Sequence, residues 1–342
     1  MPSFPRPKPE YNYSLAEEKK NLDAWFTHRK VPRPNRPGKL LMGSWNIANL
    51  GEQKRTEKDL KLIAHLLSRF DLVAVQEIKA GYANFEKIVG FMGKKFDFIM
   101  SDAGGNNERL GYIYRTKKVV LGKLFAEVAI PERNYPKLTV NVPWTYYKER
   151  RIEVFYKHRF TAFDRNPFIG TFRSGKLDFM VANVHLYYGA PKNSKTTKDR
   201  AKYARRVLEI YTLSRWAKKR ATTETSYDND VILVGDMNIP EMKSTDDAFK
   251  ALKRSGLLPS DYFSKTGGSN LNGKKTYDQL AVTPGTLEKK VLGYNVFDFD
   301  NGIFKSKWDQ VKTKSNADSL FNAYMRAYIS DHRPLWIQFD VK

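Results

Sequence analysis

Ser330-Asp331-His332-Arg333-Pro334 stands immediately before a short apolar run, Leu335-Trp336-Ile337-Gln338-Phe339. An acid beside a histidine at a strand entrance can hold a hard metal ion and move a proton. Four more apolar runs carry comparable groups. Asn46 closes Leu40-Leu41-Met42-Gly43-Ser44-Trp45, and Glu77 follows Leu72-Val73-Ala74-Val75. His185 caps Phe179-Met180-Val181-Ala182-Asn183-Val184, and Asp236 and Asn238 follow Val231-Ile232-Leu233-Val234. Taken singly these are ordinary: a histidine after a strand commonly just completes a hydrogen bond, and Gly-Asp-Met-Asn is common turn chemistry. Five strand ends that each deliver a metal- or phosphate-competent group imply one converging site.

Phosphodiester hydrolysis needs these residue types. It uses a hard divalent ion, an activated water and stabilisation of a pentavalent transition state. Magnesium takes one or two carboxylates together with water and substrate phosphate, so Glu77, Asp331, Asp236 and Asn46 are suitable oxygen donors. Asp236 and Asn238 are two apart, which on extended backbone points both side chains the same way, toward a water and a phosphoryl oxygen. His185 and His332 supply proton transfer close to neutral pH. His28, His65 and His158 have no such company.

The elements that must position these groups are legible in outline. Leu60, Ile63, Ala64 and Leu67 fall at i, i+3, i+4, i+7, an amphipathic helix between the first two strands. Residues 199–221 read as a long helix with an apolar stripe (Val207, Ile210, Tyr211, Leu213) and a basic remainder. Residues 1–38 read as a basic arm rich in proline, with one helix between Leu15 and Lys30, so the globular catalytic domain is expected over 39–342. Residues 131–158 read as an insertion rich in aromatic and basic residues. No glycine-rich phosphate loop follows any strand, which favours an α/β sandwich over a doubly wound parallel fold.

With 342 residues, 41% hydrophobic and 13% aromatic, the chain has ample core material. Its formal charge of +23 calls for a polyanion, nucleic acid first and an anionic membrane surface second. The absence of cysteine excludes disulfides, thiolate metal sites and cysteine nucleophiles. No signal core and no bilayer-length apolar run is present, so a soluble protein without stable membrane insertion is expected, either cytoplasmic or exported with its leader removed.

Trp45-Asn46-Ile47, Val75-Gln76-Glu77-Ile78, Asn183-Val184-His185, Gly235-Asp236-Met237-Asn238, Tyr277-Asp278-Gln279-Leu280 and Ser330-Asp331-His332-Arg333-Pro334 resemble the ordered motifs of the endonuclease/exonuclease/phosphatase superfamily. The match spans about residues 40–340. Within it the chain is most similar to the deoxyribonuclease I-like branch. The exonuclease III branch carries Tyr-x-Pro-Asn where this chain has Val184-His185-Leu186. The resemblance implies a four-layer α/β sandwich, two packed β-sheets flanked by helices, with the site at one end. It implies that Asp278 orients His332 and that Glu108 orients His185, each carboxylate setting an imidazole tautomer. It places Arg165 on the scissile phosphate, and Lys79 where the branch often has arginine. Asn106 stands where an aromatic residue often stacks. Arg109 and Arg115 are candidate phosphate contacts or structural ion pairs.

The expected function is a Mg²⁺-dependent deoxyribonuclease of low sequence specificity, leaving 5′-phosphate and 3′-hydroxyl ends and binding more weakly as salt rises. Mn²⁺ or Ca²⁺ are candidate substitutes for Mg²⁺, RNA is a second candidate substrate, and a monomer is the family default. Two alternatives stand beside it. One is a lipid or inositide phosphodiesterase of the sphingomyelinase kind, for which Trp144-Thr145-Tyr146-Tyr147 is the one candidate membrane-facing stretch. The other is a nucleic-acid-binding module without catalysis, against which the complete proton-transfer set argues.

Overall fold

The computed structural model describes residues 3–342 apart from 80, 148–149, 193, 195 and 264–266, and it leaves aside the side chains of 138 and 140–157. Numbered along the chain, the strands form two six-stranded sheets. The first runs, in spatial order, β13 (Val291–Val296), β14 (Leu335–Asp340), β1 (Lys39–Leu50), β2 (Leu72–Lys79), β4 (Glu108–Arg115), β3 (Phe96–Met100). The second runs β11 (Leu258–Pro259), β12 (Asp278–Val282), β10 (Val231–Asp236), β9 (Leu177–His185), β8 (Phe168–Ser174), β5 (Val120–Glu127). The ladders β1–β2 and β9–β10 are parallel and the others antiparallel.

Alternation along each strand builds the layers. On β1, Leu40 and Met42 join the core between the sheets, while Leu41 and Trp45 join the core under the outer helices. On β10, Ile232 and Val234 face inward and Val231 and Leu233 face outward. Both faces of these strands are covered, which is why they read as unbroken apolar runs. Helices α1 (Leu15–His28), α2 (Glu57–Leu67) and α3 (Ala83–Met92), with a helix over Ala317–Tyr328, cover the first sheet. Helices α4 (Thr197–Thr222) and α5 (Asp247–Lys253) cover the second. The result is the four-layer α/β sandwich the motifs imply. Leu60, Ile63, Ala64 and Leu67 bury the face of α2 that their spacing predicts, and a capping box between Thr56 and Asp59 starts the helix.

The N-terminal segment packs more intimately than its prolines suggest. Core residues begin at Tyr11, well before Lys39: Tyr11, Tyr13, Leu22, Phe26 and Val31 are buried in the same cluster as α2 and β1. The Tyr13 hydroxyl donates to Asp59 at 2.9 Å, and Phe26 stacks on Phe297 at 4.3 Å. Proline sets the backbone of this stretch but leaves its aromatic side chains free to dock. β6 (Lys137–Tyr147) and β7 (Arg150–Arg159) pair antiparallel as a separate two-stranded sheet beside α4. The side chains of Trp144-Thr145-Tyr146-Tyr147 lie outside the described residues. Among the described residues no helix is long and apolar enough to cross a membrane.

Candidate active site

Strand register assembles one wall of the site. In the second sheet His185 pairs with Asp236, and Asp236 pairs with Asp278, so three adjacent strands present these side chains as a single row. Asp236 ends its strand, but Asn238 departs from the extended backbone anticipated for it. Its φ is +53°, and its N–H donates to Asp236 Oδ1 at 3.0 Å, a tight Asx turn that suits asparagine. The Asn238 amide then donates to the Leu186 carbonyl at 2.8 Å, tying this turn to the loop after His185.

The opposite wall comes from the first sheet. Asn46 and Glu77 do not end their strands; they sit where the ladders break register, β1–β2 after Asn46 and β2–β4 between Val75 and Ile78. Glu77 adopts φ +59°, rare for a side chain of its size. A bulge of this kind re-aims a side chain that a regular pleat would send elsewhere. The Asn46 amide donates to Glu77 Oε1 at 2.9 Å and to Asp236 Oδ2 at 3.0 Å, and the Asn49 N–H donates to Glu77 Oε2 at 2.7 Å. Burial pushes the Glu77 carboxyl up, but His185 and these donors outweigh it and the net shift is downward. Asp236 and Asp331 are pushed up, mainly by burial, with Asp278 adding to the first and Glu77 to the second.

Each histidine has its acid. His332 Nδ1 meets Asp278 Oδ2 at 2.7 Å. His185 Nδ1 lies 2.8 Å from Glu108 Oε2, at ion-pairing distance though off the axis of a hydrogen bond. The other nitrogens of the two rings share a carboxylate: Asp236 Oδ2 is 3.5 Å from His185 Nε2 and 3.9 Å from His332 Nε2, and Glu77 Oε1 is also 3.9 Å from His185 Nε2. Burial lowers the basicity of His332, yet Asp278, Asp236 and Asp331 together raise it well above the ordinary value. Glu108 is drawn down to about 2: burial opposes this, and His185, Arg165 and Lys79 prevail.

The residues fit a hard divalent ion. Asn46 Oδ1 is buried and has no hydrogen-bond partner among the described residues, the Glu77 carboxylate it touches through its amide is buried as well, and the charge of Glu77 acts on the Asp331 carboxyl. Ligand atoms of Glu77, His185 and Asp236 lie within 4.8 Å of one another, as do those of Asp236, Asp278 and His332. Both histidines, Glu108, Asp236 and Asp331 line a cavity of about 350 Å³ together with Asn106, Arg165, Tyr187, Tyr188, Asn238 and Tyr277.

No family model matches the chain. Over 206 residues it is 31% identical to a deoxyribonuclease of Thioalkalivibrio sp. (strain K90mix), a match covering 59% of this chain and 46% of that protein. The chain thus spans less than half the length of that relative. The crystal structure of an endonuclease/exonuclease/phosphatase family protein from Bacteroides thetaiotaomicron superposes with a TM-score of 0.52 at 15% identity, over 89% of this chain and 95% of that one. Truncated TDP2 of Caenorhabditis elegans gives 0.52 at 14% identity, over 88% and 97%. The chain has the endonuclease/exonuclease/phosphatase fold.

Within that endonuclease/exonuclease/phosphatase fold, several residues stand elsewhere than their motifs suggest. Lys79 is 1% exposed and its Nζ sits 2.8 Å from Glu108 Oε1, so the structure places it in a buried ion pair beyond the register break of β2. Arg165 is on the cavity wall but engaged by protein, its guanidinium donating to the His185 and Leu186 carbonyls and to Asp164 at 2.8–3.1 Å. It lies 3.4 Å from Glu108, so it braces the His185 pair. Arg109 donates to Ser101 and Asp102 at the surface, and Arg115 pairs with Asp71. For both, the structural ion pair is what the fold contains.

Other residues of the site escaped the sequence reading. Gln76 donates to Asn183 Oδ1 at 2.6 Å, and Asn183 donates to the Val75 and Gly111 carbonyls, a fully buried clasp between the two sheets directly beneath the site. Amides amid apolar strand residues were the available signal. Arg55 donates to the Ala48 and Ile329 carbonyls near Glu77 and Asp331, and enclosure brings its pKa down to about 10. Nothing in the local sequence marks it, since the loop that carries it meets the site only in the folded chain.

Proposed function

We propose that the protein is a divalent-metal-dependent deoxyribonuclease that hydrolyses DNA phosphodiester bonds with low sequence specificity, leaving 5′-phosphate and 3′-hydroxyl ends. The observation that carries this reading is the convergence of two histidine–carboxylate pairs on Asp236, beside the Asn46–Glu77 contact. Likeness to a deoxyribonuclease over 206 residues and a formal charge of +23 support a long polyanionic substrate.

Glu77, Asn46 and Asp331 would hold the ion, Mg²⁺ in the first instance. When bound it supplies Lewis-acid neutralisation of charge on a phosphoryl oxygen. The rest is the work of the chain. Asp236 Oδ2 faces both imidazoles and is placed to orient the attacking water and accept its proton. His332, fixed through Nδ1 by Asp278, presents Nε2 to the phosphate as a donor, and His185, fixed by Glu108, presents the second. Asn238 holds the loop that follows His185 in place.

Supercoiled plasmid incubated with the protein tests this. Nicking and then fragmentation in Mg²⁺, abolished by EDTA, is the expected result. His332→Ala and Asp278→Asn should each lower the rate by about 10²–10⁴-fold with the fold intact by circular dichroism. Plasmid that survives every divalent ion would sink the reading.

A further inference from the structure

The loop after His185 carries two tyrosines, and their placements differ. Tyr187 lies against Arg205, whose guanidinium is 4.3 Å from its ring centroid. Tyr188 stands out, 59% exposed, at the rim of the catalytic cavity. A lone exposed aromatic is ordinary on a protein surface. This one is held rigidly. Gly189 takes φ +73°, with Lys202 and Arg206 packed so closely that a side chain there would have to displace them. Arg206, itself 5% exposed, donates to the carbonyls of Tyr188 and Ala190 at 2.7 and 3.2 Å. The loop's exposed ring is therefore presented on a fixed backbone.

Behind the ring lies a second cavity, of about 430 Å³, that shares Tyr188 and Tyr277 with the catalytic one. The aromatic rings form a row leading out of the site: Tyr277 is 6.3 Å from His332, and Tyr188 is 6.1 Å from Tyr277 at 63°. The cavity's polar lining mixes signs. Lys192 and Lys275 line it, paired with Asp247 at 3.0 Å and Glu241 at 3.6 Å, and Glu241 and Asp246 line it too. Donors and acceptors in this balance match the edge of a nucleobase better than a phosphate, which would want cations alone. Stacking on an aromatic face is the recurring way to hold an unpaired base.

We propose that Tyr188 and Tyr277 form a stacking subsite for one unpaired base next to the scissile phosphate, so that the enzyme acts on single-stranded nucleic acid or on duplexes whose base has been freed from its neighbours. This rests on the nuclease reading and narrows it to a substrate form. A base in a duplex is stacked on both sides and cannot enter the cavity without first leaving the helix.

The test uses a single-stranded hexanucleotide with one natural phosphodiester and methylphosphonates elsewhere, in Mg²⁺. It is compared with strands that carry an abasic residue on one or the other side of the cleavable bond. Wild-type kcat/KM should fall about ten- to hundredfold when the stacked base is removed. Tyr188→Ala should lose the same factor on the intact strand and nothing further on the abasic one, while Tyr188→Phe, which keeps the ring, should recover most of that loss. Cleavage by the wild type with no loss for Tyr188→Ala overturns the subsite, as do losses that multiply across the abasic strand, and both leave the nuclease standing. Failure of the wild type to cut any strand or plasmid overturns the nuclease and the subsite together.

Discussion

Lys79 and Glu108 make a pair 2.8 Å long with 1% and 4% of their surfaces exposed. Glu108 in turn reaches His185 at 2.8 Å, so a lysine two residues beyond Glu77 acts on the histidine of another sheet. In a regular strand Glu77 and Lys79 would share one face, and a cation beside a catalytic acid reads as a substrate contact. The left-handed turn at Glu77 breaks that pattern, and Lys79 lies buried against Glu108 instead. Lys79→Met should destabilise the protein by about 3 kcal/mol, the low end for breaking a buried pair, because Arg165 and His185 still face Glu108. Urea unfolding checks the stability and single-turnover cleavage checks the expected fall in rate. A variant as stable and active as wild type would remove Lys79 from the site's support.

Strand register decides whether the row of His185, Asp236 and Asp278 exists. His185, Asp236 and Asp278 stand abreast because β10 runs parallel to β9 and antiparallel to β12 without slippage. Gly235, immediately before Asp236, has φ +137°, and a β-carbon there would collide with the Val184 carbonyl oxygen. Gly235→Ala should therefore push β9 and β10 apart at the row, costing more than about 1 kcal/mol and removing most of the hydrolysis. Thermal melting and plasmid nicking measure the two effects; a variant with unchanged melting and activity would show that the close approach is dispensable. The strands themselves were readable as apolar runs, because burial on both faces leaves little other choice. The bulges in β1 and β2 were not, since a bulge is a disagreement between neighbouring strands and no single strand encodes it.

At the scale of the molecule, α4 couples the second sheet to the loops that frame the site. Glu209 is buried within it and accepts from the Asp164 and Tyr187 N–H groups and from Arg205. Burial prevails over those donors and pushes its pKa up to about 7. The folded state then holds the proton more tightly than the unfolded chain. Glu209 should make stability fall as pH rises from about 4.5 to about 7, by about 3 kcal/mol at most. Glu108, drawn down to about 2, has the opposite sign: its contribution is present above about 4.5 and is lost as pH falls toward 2. Melting temperature against pH should show both limbs, with Glu209→Gln flattening the one between 4.5 and 7 and Glu108→Gln the acid one. A Glu209→Gln profile parallel to wild type would remove Glu209 as a titrating group.

Composition and order along the chain determined an α/β chain with an amphipathic helix through Leu60–Leu67 and a long one over 199–221, its basic charge, and motif residues whose resemblance to a known family implied the layers. The helices and the charge follow from local periodicity and from side-chain chemistry, which each segment carries by itself. Tertiary structure decided that the arm from Tyr11 onward belongs to the core, that Lys79 and Arg165 brace Glu108 and His185, and that Gln76 and Asn183 clasp the sheets. Each of those is a contact between residues distant in sequence, and its energy depends on burial and register that arise only when the two sheets close on one another.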